Sequence, residues 1–595
     1  MKPTNVKNPE YFHKVVDCQW ACPAHTPVPE YIREIAAGNY TKAYMINWES
    51  NVFPGILGRT CDRPCEPACR RGRIEEEPVA ICRLKRVAAD NKGEVKQFMP
   101  VAPKSRNGKR LALIGGGPAS LAVARGLIPL GYDIDLYDDQ ARAGGMMRSQ
   151  IPAFRLPIEV LEEEVNYVLD MGLNQIFDTR VDSMQEILNK DYDAIFVGTG
   201  APQGTDLDLP GRKETAKHIH IGIDWLSSVA FEHIDSIEKK VLVLGGGNTA
   251  MDCCRTSRRL GGEDVKVMVR SEFEKMKASP WEIEDAKAED IPIYNNHVPL
   301  EFVHDNGKLL GVRFQRVNVE YDESGKRSLV PLDEDPILFE CDHVLIAIGQ
   351  ENAFPWIERD LGIEFGKWDV PKINESSFQS TRPDVFFGGD AAFGPENIIT
   401  AVAHGHQVAI SIDLFCHDKD VLQRPPPGVT VTSQKMGIHE WSYDNAIEND
   451  VRYIVPHVDK EKALADRTVE VEIGFSTDTG FKEAERCLNC DVQTVFATNL
   501  CIECDACMDI CPTDCINFTS NGSEEELRGR LRAPATDLDQ DLYISDELAQ
   551  TGRILIKDEN VCLHCGLCVE RCPTGAWDMQ KFIYEVTKAD GEFGA

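Results

Sequence analysis

Two stretches near the end of this 595-residue chain share the cysteine spacing C-x2-C-x2-C-x3-C-P, which constrains the fold more than any other feature. The first run is Cys501, Cys504, Cys507 and Cys511; the second is Cys562, Cys565, Cys568 and Cys572. Closely spaced thiolates wrap the irons of a cubane, the proline turns the chain away, and the fourth cysteine of each run ligates the other run's cluster. One [4Fe–4S] site is therefore expected at Cys501, Cys504, Cys507 and Cys572, and a second at Cys562, Cys565, Cys568 and Cys511. A zinc knuckle, with ligands in pairs, is the weaker reading. Cys515 is left over and reads as a small buried apolar residue.

The chain holds 21 cysteines: six precede residue 90, eleven follow residue 480 and four lie between. The opening MKPTNVKNPEYF lacks the apolar run of a secretion signal, so a cytoplasmic location is expected. In a reducing compartment so many thiols point to metal rather than to disulfides. A formal charge of −33 argues against nucleic acid and anionic membranes, and suits docking on basic partners.

The middle of the chain carries two apolar runs, RLALIGGG and KVLVLGGG, each entering a Gly-rich turn and a helix-like stretch. Each is the start of a βαβ unit, so two dinucleotide sites are expected on an α/β fold. In the first turn Gly115 allows the bend, Gly117 lets the backbone approach a pyrophosphate, and Pro118 and Ala119 open the helix. Ser120 replaces the third glycine, and Asp138 ends the next strand, placed for a ribose hydroxyl. A distant complement, VFFGGDAAFGPENIITAVAHG, would bring Gly389 and Asp390 to the pyrophosphate and ribityl chain, with the helix opened by Asn397 and Ile398 facing a flavin. Together these favour FAD. The second turn, Gly245, Gly247, Asn248, Thr249 and Ala250, lacks such a complement and fits a transient nicotinamide nucleotide. Arg270 ends its second strand, and a basic residue there favours NADP, with NAD as the alternative. Cys253, Cys254, Cys341 and Cys416 read as core residues, and His404 and His406 as packing or solvated side chains.

The blocks GGMMRSQIPAFRLP (144–157), GGGNTAMDCCRTSRRLG (245–261) and GGDAAFGPENIITAVAHG (388–405) resemble the glutamate synthase small-subunit family, which includes the matching half of dihydropyrimidine dehydrogenase. The similarity covers roughly residues 15–415. It implies a helical domain with two further [4Fe–4S] clusters ahead of an FAD domain interrupted by an NAD(P) domain, and adds Gly145, Met146 and Arg155 to the FAD site. Dihydropyrimidine dehydrogenase also ends in a two-cluster ferredoxin module, but no barrel domain lies between here. The expected domains are 1–100, helical Fe–S; 109–205 with 339–420, FAD; 206–338, NAD(P); 421–485, linker; and 486–595, an α+β ferredoxin.

The N-terminal cysteines depart from the family. Its opening C-x2-C-x4-C-x3-C-P is reduced here to Cys18 and Cys22-Pro23, followed by Cys61, Cys65 and Cys69. By resemblance, Cys22, Cys61 and Cys65 share one cluster, and Cys18 and Cys69 another. The family's fourth ligand for the first falls at Lys85, which is unsuitable; Cys82, one helical turn earlier, takes its place. For the second, the pair Cys487 and Cys490 reads like the missing opening displaced toward the other end of the chain. Two competing readings are an absent cluster and His13 as a ligand.

The expected activity is electron transfer between NAD(P)H and Fe–S clusters through FAD, which requires no catalytic acid–base pair. The expected partners are NAD(P)H and either a ferredoxin or the catalytic subunits of a larger complex, such as a 2-oxoacid:ferredoxin oxidoreductase, with a homodimer inside that complex left open. The alternatives are a glutamate synthase small subunit and a binding adaptor whose clusters are structural.

Overall fold

The computed structural model describes residues 1–75, 77–322, 327–433 and 451–589; the His13 side chain also lies outside the described residues. The chain divides into two compact units. One contains residues 99–422 and 456–473; the other contains 1–98, 423–455 and 474–588.

The first unit is built on two parallel five-stranded sheets. In one, the strands run in the order Val385–Phe387, Ala194–Val197, Arg110–Ile114, Asp133–Tyr137 and Asn174–Ile176. Leu111 to Ile114 are buried, as expected of a strand covered on both faces by helices. Helix Pro118–Leu127 packs against helix Ile398–Cys416, where a side chain on Gly405 would stand 2.6 Å from the Ala119 carbonyl oxygen. Among the described residues Ile398–Cys416 is the one helix long and apolar enough to cross a membrane, and it is largely buried in the core of this unit.

The other parallel sheet runs Ile219–Ile221, His343–Ile346, Lys240–Leu244, Asp264–Met268 and Ile293–Tyr294. This moves one expected boundary. Residues 343–346, read as the start of the returning FAD segment, belong to the nicotinamide-type sheet, with Val344 opposite Leu242 and Ile346 opposite Leu244. The chain leaves and re-enters the first sheet's domain through a two-stranded ribbon, Gln203–Gly204 against Gln350–Glu351. An antiparallel sheet over His297–Glu340 completes this half.

The second unit joins the two ends of the chain. Helices Val28–Ala36, Tyr40–Asn51 and Ile81–Asp90 form an N-terminal bundle. The C-terminal part has two three-stranded antiparallel sheets, one of Gly428–Ser433, Trp577–Glu585 and Val492–Phe496, the other of Ile516–Thr519, Ile554–Lys557 and Tyr543–Ile544. One apolar core runs through both ends: Phe12 stacks on Phe582 with ring centroids 4.9 Å apart, beside Val28, Leu84, Ala484 and Val455.

Within the stretch 421–485, expected as a linker, the described residues include regular elements. Gly428–Ser433 pairs with Trp577–Glu585, and helix Thr477–Glu485 packs on Val28–Ala36 and Ile81–Asp90. Its Pro-rich start suggested a break, but the alternation in GVTVTS supplies an edge strand. The polar, acidic stretch after Thr519 carries a small core, Leu527 and Leu531 packed with Leu542, Ile544, Ile554 and Ile556.

Candidate iron–sulfur and dinucleotide sites

The C-terminal cysteines gather into two cavities. One, of about 300 Å³, is lined by Cys501, Cys504, Cys507 and Cys572, with Phe496, Phe518 and Trp577 behind them. The other, of about 310 Å³, is lined by Cys511, Cys562, Cys565 and Cys568. The fourth cysteine of each run thus stands with the first three of the other. The cavities differ in exposure: Cys504 faces solvent, whereas Cys562 and Cys568 are buried. Cys515 is buried in the wall of the second cavity with its Sγ 3.5 Å from that of Cys511.

A third cavity, of about 350 Å³, is lined by Cys18, Cys69, Cys487 and Cys490 together with Val28, Ile32, Arg70 and Ile81. The local sequence explains how residues so far apart meet. Ser476 caps helix Thr477–Glu485, accepting from the Thr479 N–H at 3.1 Å. On this helix Glu483, fully buried, accepts from the backbone N–H groups of Ala80 at 2.7 Å and Tyr453 at 3.0 Å. Arg486, paired with Glu483 at 2.8 Å, donates to the carbonyls of Glu77 and Pro78. Arg33 reaches from the N-terminal bundle to Asp491 at 2.7 Å and to Asn489 at 3.2 Å. These contacts hold both sides of the Cys487–Cys490 turn against residues 77–80 and helix Val28–Ala36.

The fourth quartet is Cys22, Cys61, Cys65 and Cys82. Cys82 begins helix Ile81–Asp90, and its thiol interacts with those of Cys61 and Cys65. Cys22 accompanies them in the electrostatic surroundings of Lys85, which is buried on the same helix. Burial alone would lower the Lys85 pKa; the Cys82, Cys61, Cys65 and Cys22 thiols reverse this and raise it. Lys85 thus supplies positive charge beside the thiols.

One turn recurs in all four quartets. The backbone N–H two residues past a cysteine donates to its Sγ: Arg63 to Cys61 at 3.4 Å, Asn489 to Cys487 at 3.5 Å, Glu503 to Cys501 at 3.3 Å and His564 to Cys562 at 3.4 Å. Each donor residue has a positive φ, between 51° and 57°. Such N–H···S bonds stabilise a thiolate and tune the metal it binds. The sequence reading missed this turn; only Asn489 and His564, types that tolerate positive φ, could have signalled it. The donor sets fit [4Fe–4S] clusters. Burial, then the neighbouring thiols Cys69, Cys490 and Cys487, push the Cys18 thiol far above its ordinary pKa, and burial pushes Cys487 up to about 12. A cationic iron core would relieve that penalty on the thiolates.

The two Gly-rich turns are built alike. Gly115 and Gly245 take φ of +96° and +144°, where a side chain would collide with a neighbouring carbonyl oxygen, that of Gly198 or Ala347. Gly117 and Gly247 precede helices Pro118–Leu127 and Asn248–Arg259, and a Cβ there would meet nothing closer than 3.9 Å and nothing within 4 Å, respectively. Open space over a helix N-terminus accommodates a phosphate. Asp138 accepts from the Gly116 N–H at 2.5 Å and the Gln140 N–H at 2.8 Å, and burial raises its pKa.

Gly389 packs on the first turn, where a Cβ would lie 3.1 Å from that of Ala119, and Gly145, which precedes Met146 at the start of a short helix, packs on Gly117. Asp390 accepts from the Glu396 N–H at 3.1 Å, and burial pushes its carboxyl up to about 6. Asn397 caps the helix that begins at Ile398. At the second turn, Asn248 accepts from the Ser279 N–H at 2.8 Å, beside Thr249 and the buried Ala250, and Arg270 is exposed past the end of strand Asp264–Met268. His404 packs between Phe378 and Phe393.

The Arg155 guanidinium is held by Asp252 at 2.8 Å and Glu282 at 2.6 Å, both on the nicotinamide-type domain, within a buried charge network that includes Arg255, Asp285 and Glu289. These ion pairs join the segment that carries Arg155 to the nicotinamide-type domain of the same unit.

Three family models match. The pyridine nucleotide-disulphide oxidoreductase model covers residues 109–405, dihydropyrimidine dehydrogenase domain II with a 4Fe-4S cluster covers 12–97, and the 4Fe-4S dicluster domain covers 500–576. Among curated proteins, the chain is 33% identical over 505 residues to the NADP(+)-dependent formate dehydrogenase subunit beta of Moorella thermoacetica, spanning 80% of this chain and 70% of that protein. It is 30% identical over 533 residues to the NADPH-Fe(3+) oxidoreductase subunit beta of Geobacter sulfurreducens, spanning 82% and 77%. It is 31% identical over 416 residues to the glutamate synthase [NADPH] small chain of Escherichia coli, spanning 66% of this chain and 87% of that protein.

Proposed function

We propose that this chain, which belongs to the glutamate synthase small-subunit-like family of FAD-dependent pyridine nucleotide oxidoreductases, exchanges electrons with NADP(H) and serves as the nicotinamide-reactive subunit of a larger cytoplasmic redox complex. The observation that carries the reading is the gathering of sixteen cysteines into four quartets in a chain that also holds two open-backed glycine turns. FAD, when bound, exchanges a hydride with the nicotinamide and single electrons with [4Fe–4S] clusters.

The residues divide the remaining work. The Gly115–Ala119 turn, Asp138, Gly145, Met146, Gly389, Asp390, Asn397 and Ile398 would hold FAD, and Gly117 leaves the pyrophosphate its space. Gly245, Gly247, Asn248, Thr249 and Ala250 would hold the nicotinamide nucleotide, with exposed Arg270 free to approach the 2′-phosphate of NADP. The four quartets would hold four [4Fe–4S] clusters, and the exposed side of Cys504 offers the outlet to a partner. The curated relatives named for formate dehydrogenase and for Fe(3+) reduction are themselves subunits, which supports a catalytic partner for this chain, a 2-oxoacid:ferredoxin oxidoreductase being another of that class. The C-terminal dicluster module, beyond what a glutamate synthase small subunit needs, favours such a partner over a glutamate-forming one.

Anaerobic isolation from the native source tests the reading. About sixteen irons per chain are expected if all four clusters form, with one flavin, bound catalytic subunits and clusters reduced faster by NADPH than by NADH. About eight irons, or clusters inert to both nucleotides, would favour an adaptor with structural clusters.

A further inference from the structure

One side chain touches two of the quartets. Arg70 directly follows Cys69, is 1% exposed and lines the Cys18–Cys69–Cys487–Cys490 cavity. Its guanidinium donates to the carbonyl of Cys562 at 2.6 Å, to that of Val15 at 2.8 Å and to that of Glu559. It pairs with Asp17, the neighbour of Cys18, and lies 3.4 Å from His564 Nε2. Its electrostatic partners include Cys490 on one side and Cys562 on the other. From Cys69 to Cys562 the path is thus one peptide bond, one arginine side chain and one hydrogen bond.

We infer that Arg70 is the positioning residue for electron passage between the cluster held by Cys18, Cys69, Cys487 and Cys490 and the cluster held by Cys511, Cys562, Cys565 and Cys568. The inference rests on the four-cluster reading proposed above. In the step one cluster loses an electron and the other gains it; no bond forms or breaks, no proton moves, and reduced nicotinamide is the ultimate donor. Exposure would set the order: buried Cys562 and Cys568 would hold the site that receives, and exposed Cys504 would belong to the site that faces the partner.

Arg70 acts in two ways. Its hydrogen bonds fix the spacing of two ligand loops that belong to opposite ends of the chain. Its charge lies between two sites that become more negative on reduction, so it raises both midpoint potentials and favours the reduced state of either. Glu559, beside Cys562 and His564, pairs with the Lys557 ammonium at 2.9 Å.

The test uses the full chain, anaerobically purified, with iron assay, potentiometric titration followed by EPR, and freeze-quench EPR after mixing with NADPH. In the unaltered protein, full reduction should show magnetic interaction between the two clusters. Arg70→Gln should lower the midpoints of both and slow C-terminal cluster reduction, relative to flavin reduction in the same sample, by about tenfold or more, the scale of losing one nearby fixed charge at a protein's effective dielectric. Arg70→Lys, which keeps the charge, should restore the midpoints toward those of the unaltered protein. Unchanged midpoints and relative rate in Arg70→Gln, at full iron, would overturn the inference, as would absence of the magnetic interaction. If Arg70→Gln loses iron, Arg70→Lys and the unaltered protein still decide. An unaltered chain with about eight irons would instead sink the four-cluster reading and this inference with it, and the iron assay tells the two failures apart.

Discussion

Two cysteine quartets of the second unit, Cys501–Cys504–Cys507–Cys572 and Cys18–Cys69–Cys487–Cys490, are gathered by different routes. The C-terminal pair is written in contiguous spacing: each C-x2-C-x2-C-x3-C-P run supplies three cysteines to one cavity and the fourth to its neighbour. The Cys18–Cys69–Cys487–Cys490 quartet has no such run, and tertiary contacts bring its members together. Both nevertheless share the turn in which the N–H two residues on donates to the cysteine sulfur, Asn489 to Cys487 as His564 to Cys562. The geometry around each sulfur is thus a property of the local turn, whereas bringing the cysteines together can be delegated to packing. The cost is dependence on the elements that do the packing, here helix Thr477–Glu485 and the buried Glu483–Arg486 pair.

The largest effect should come from breaking the assembled quartet itself. Cys487→Ser with Cys490→Ser is expected to lower iron from about sixteen to about twelve per chain, leaving the two contiguous cages loaded. An unchanged iron count would remove the assembled quartet from the comparison. Next comes the support beneath it. Glu483 is fully buried and holds two backbone N–H groups and Arg486, so Glu483→Ala removes the carboxylate that balances the buried Arg486 charge and accepts from both N–H groups. A destabilisation of about 3–5 kcal/mol is expected for removing one partner of such a pair. Denaturation followed by iron release should show the assembled quartet emptying before the contiguous ones; simultaneous release would mean that packing protects both alike.

The proposed flavin site is also assembled from distant segments, and it carries a smaller, pH-dependent signature. Burial raises the Asp390 carboxyl from 3.8 to about 6. A raised carboxyl pKa means that the folded chain binds the proton more tightly than the unfolded chain does. Its contribution is fully present below about pH 4 and is lost as pH rises through about 6. The loss amounts to about 3 kcal/mol as an order of magnitude, at about 1.4 kcal/mol per unit. In FAD-free protein, Asp390→Asn should therefore raise the melting temperature at pH 8 and leave it unchanged at pH 4. An equal effect at both pH values would exclude the titration as its cause.

What could be read from the sequence follows the same division. The contiguous cages, both glycine turns and the distant Gly389–Asp390 complement were legible because spacing and local backbone demands specify them. The Cys487–Cys490 pair was legible only as a surplus to set against a deficit at the N-terminus. The role of residues 421–485 was not legible, because GVTVTS becomes a strand only when Trp577–Glu585 offers an edge, and a Pro-rich approach reads as a break. The boundary at 339 failed for a related reason: a four-residue strand such as His343–Ile346 fits either parallel sheet, and only register against Lys240–Leu244 decides. The ion pairs of Arg155 were not legible either, because position in sequence beside a nucleotide-binding block does not reveal which carboxylates the fold will set next to it.

The smallest expected effect tests what makes a cysteine a ligand. Cys515 lies 3.5 Å from Cys511 inside the wall of a cluster cavity, closer than many ligand pairs need to be, yet it falls outside the repeated spacing. If proximity alone selected ligands, Cys515 could substitute for Cys511; if spacing and local turns select them, it is packing. Cys515→Ala should then keep about sixteen irons and change stability by about 1 kcal/mol or less, the loss of one small buried group. Cys511→Ala should alter the cluster's EPR signature or cost its iron. A Cys515→Ala protein that loses iron, or a Cys511→Ala protein with an undisturbed cluster, would show that this cage has a fifth working ligand, and that even the contiguous motif owes part of its ligand set to packing.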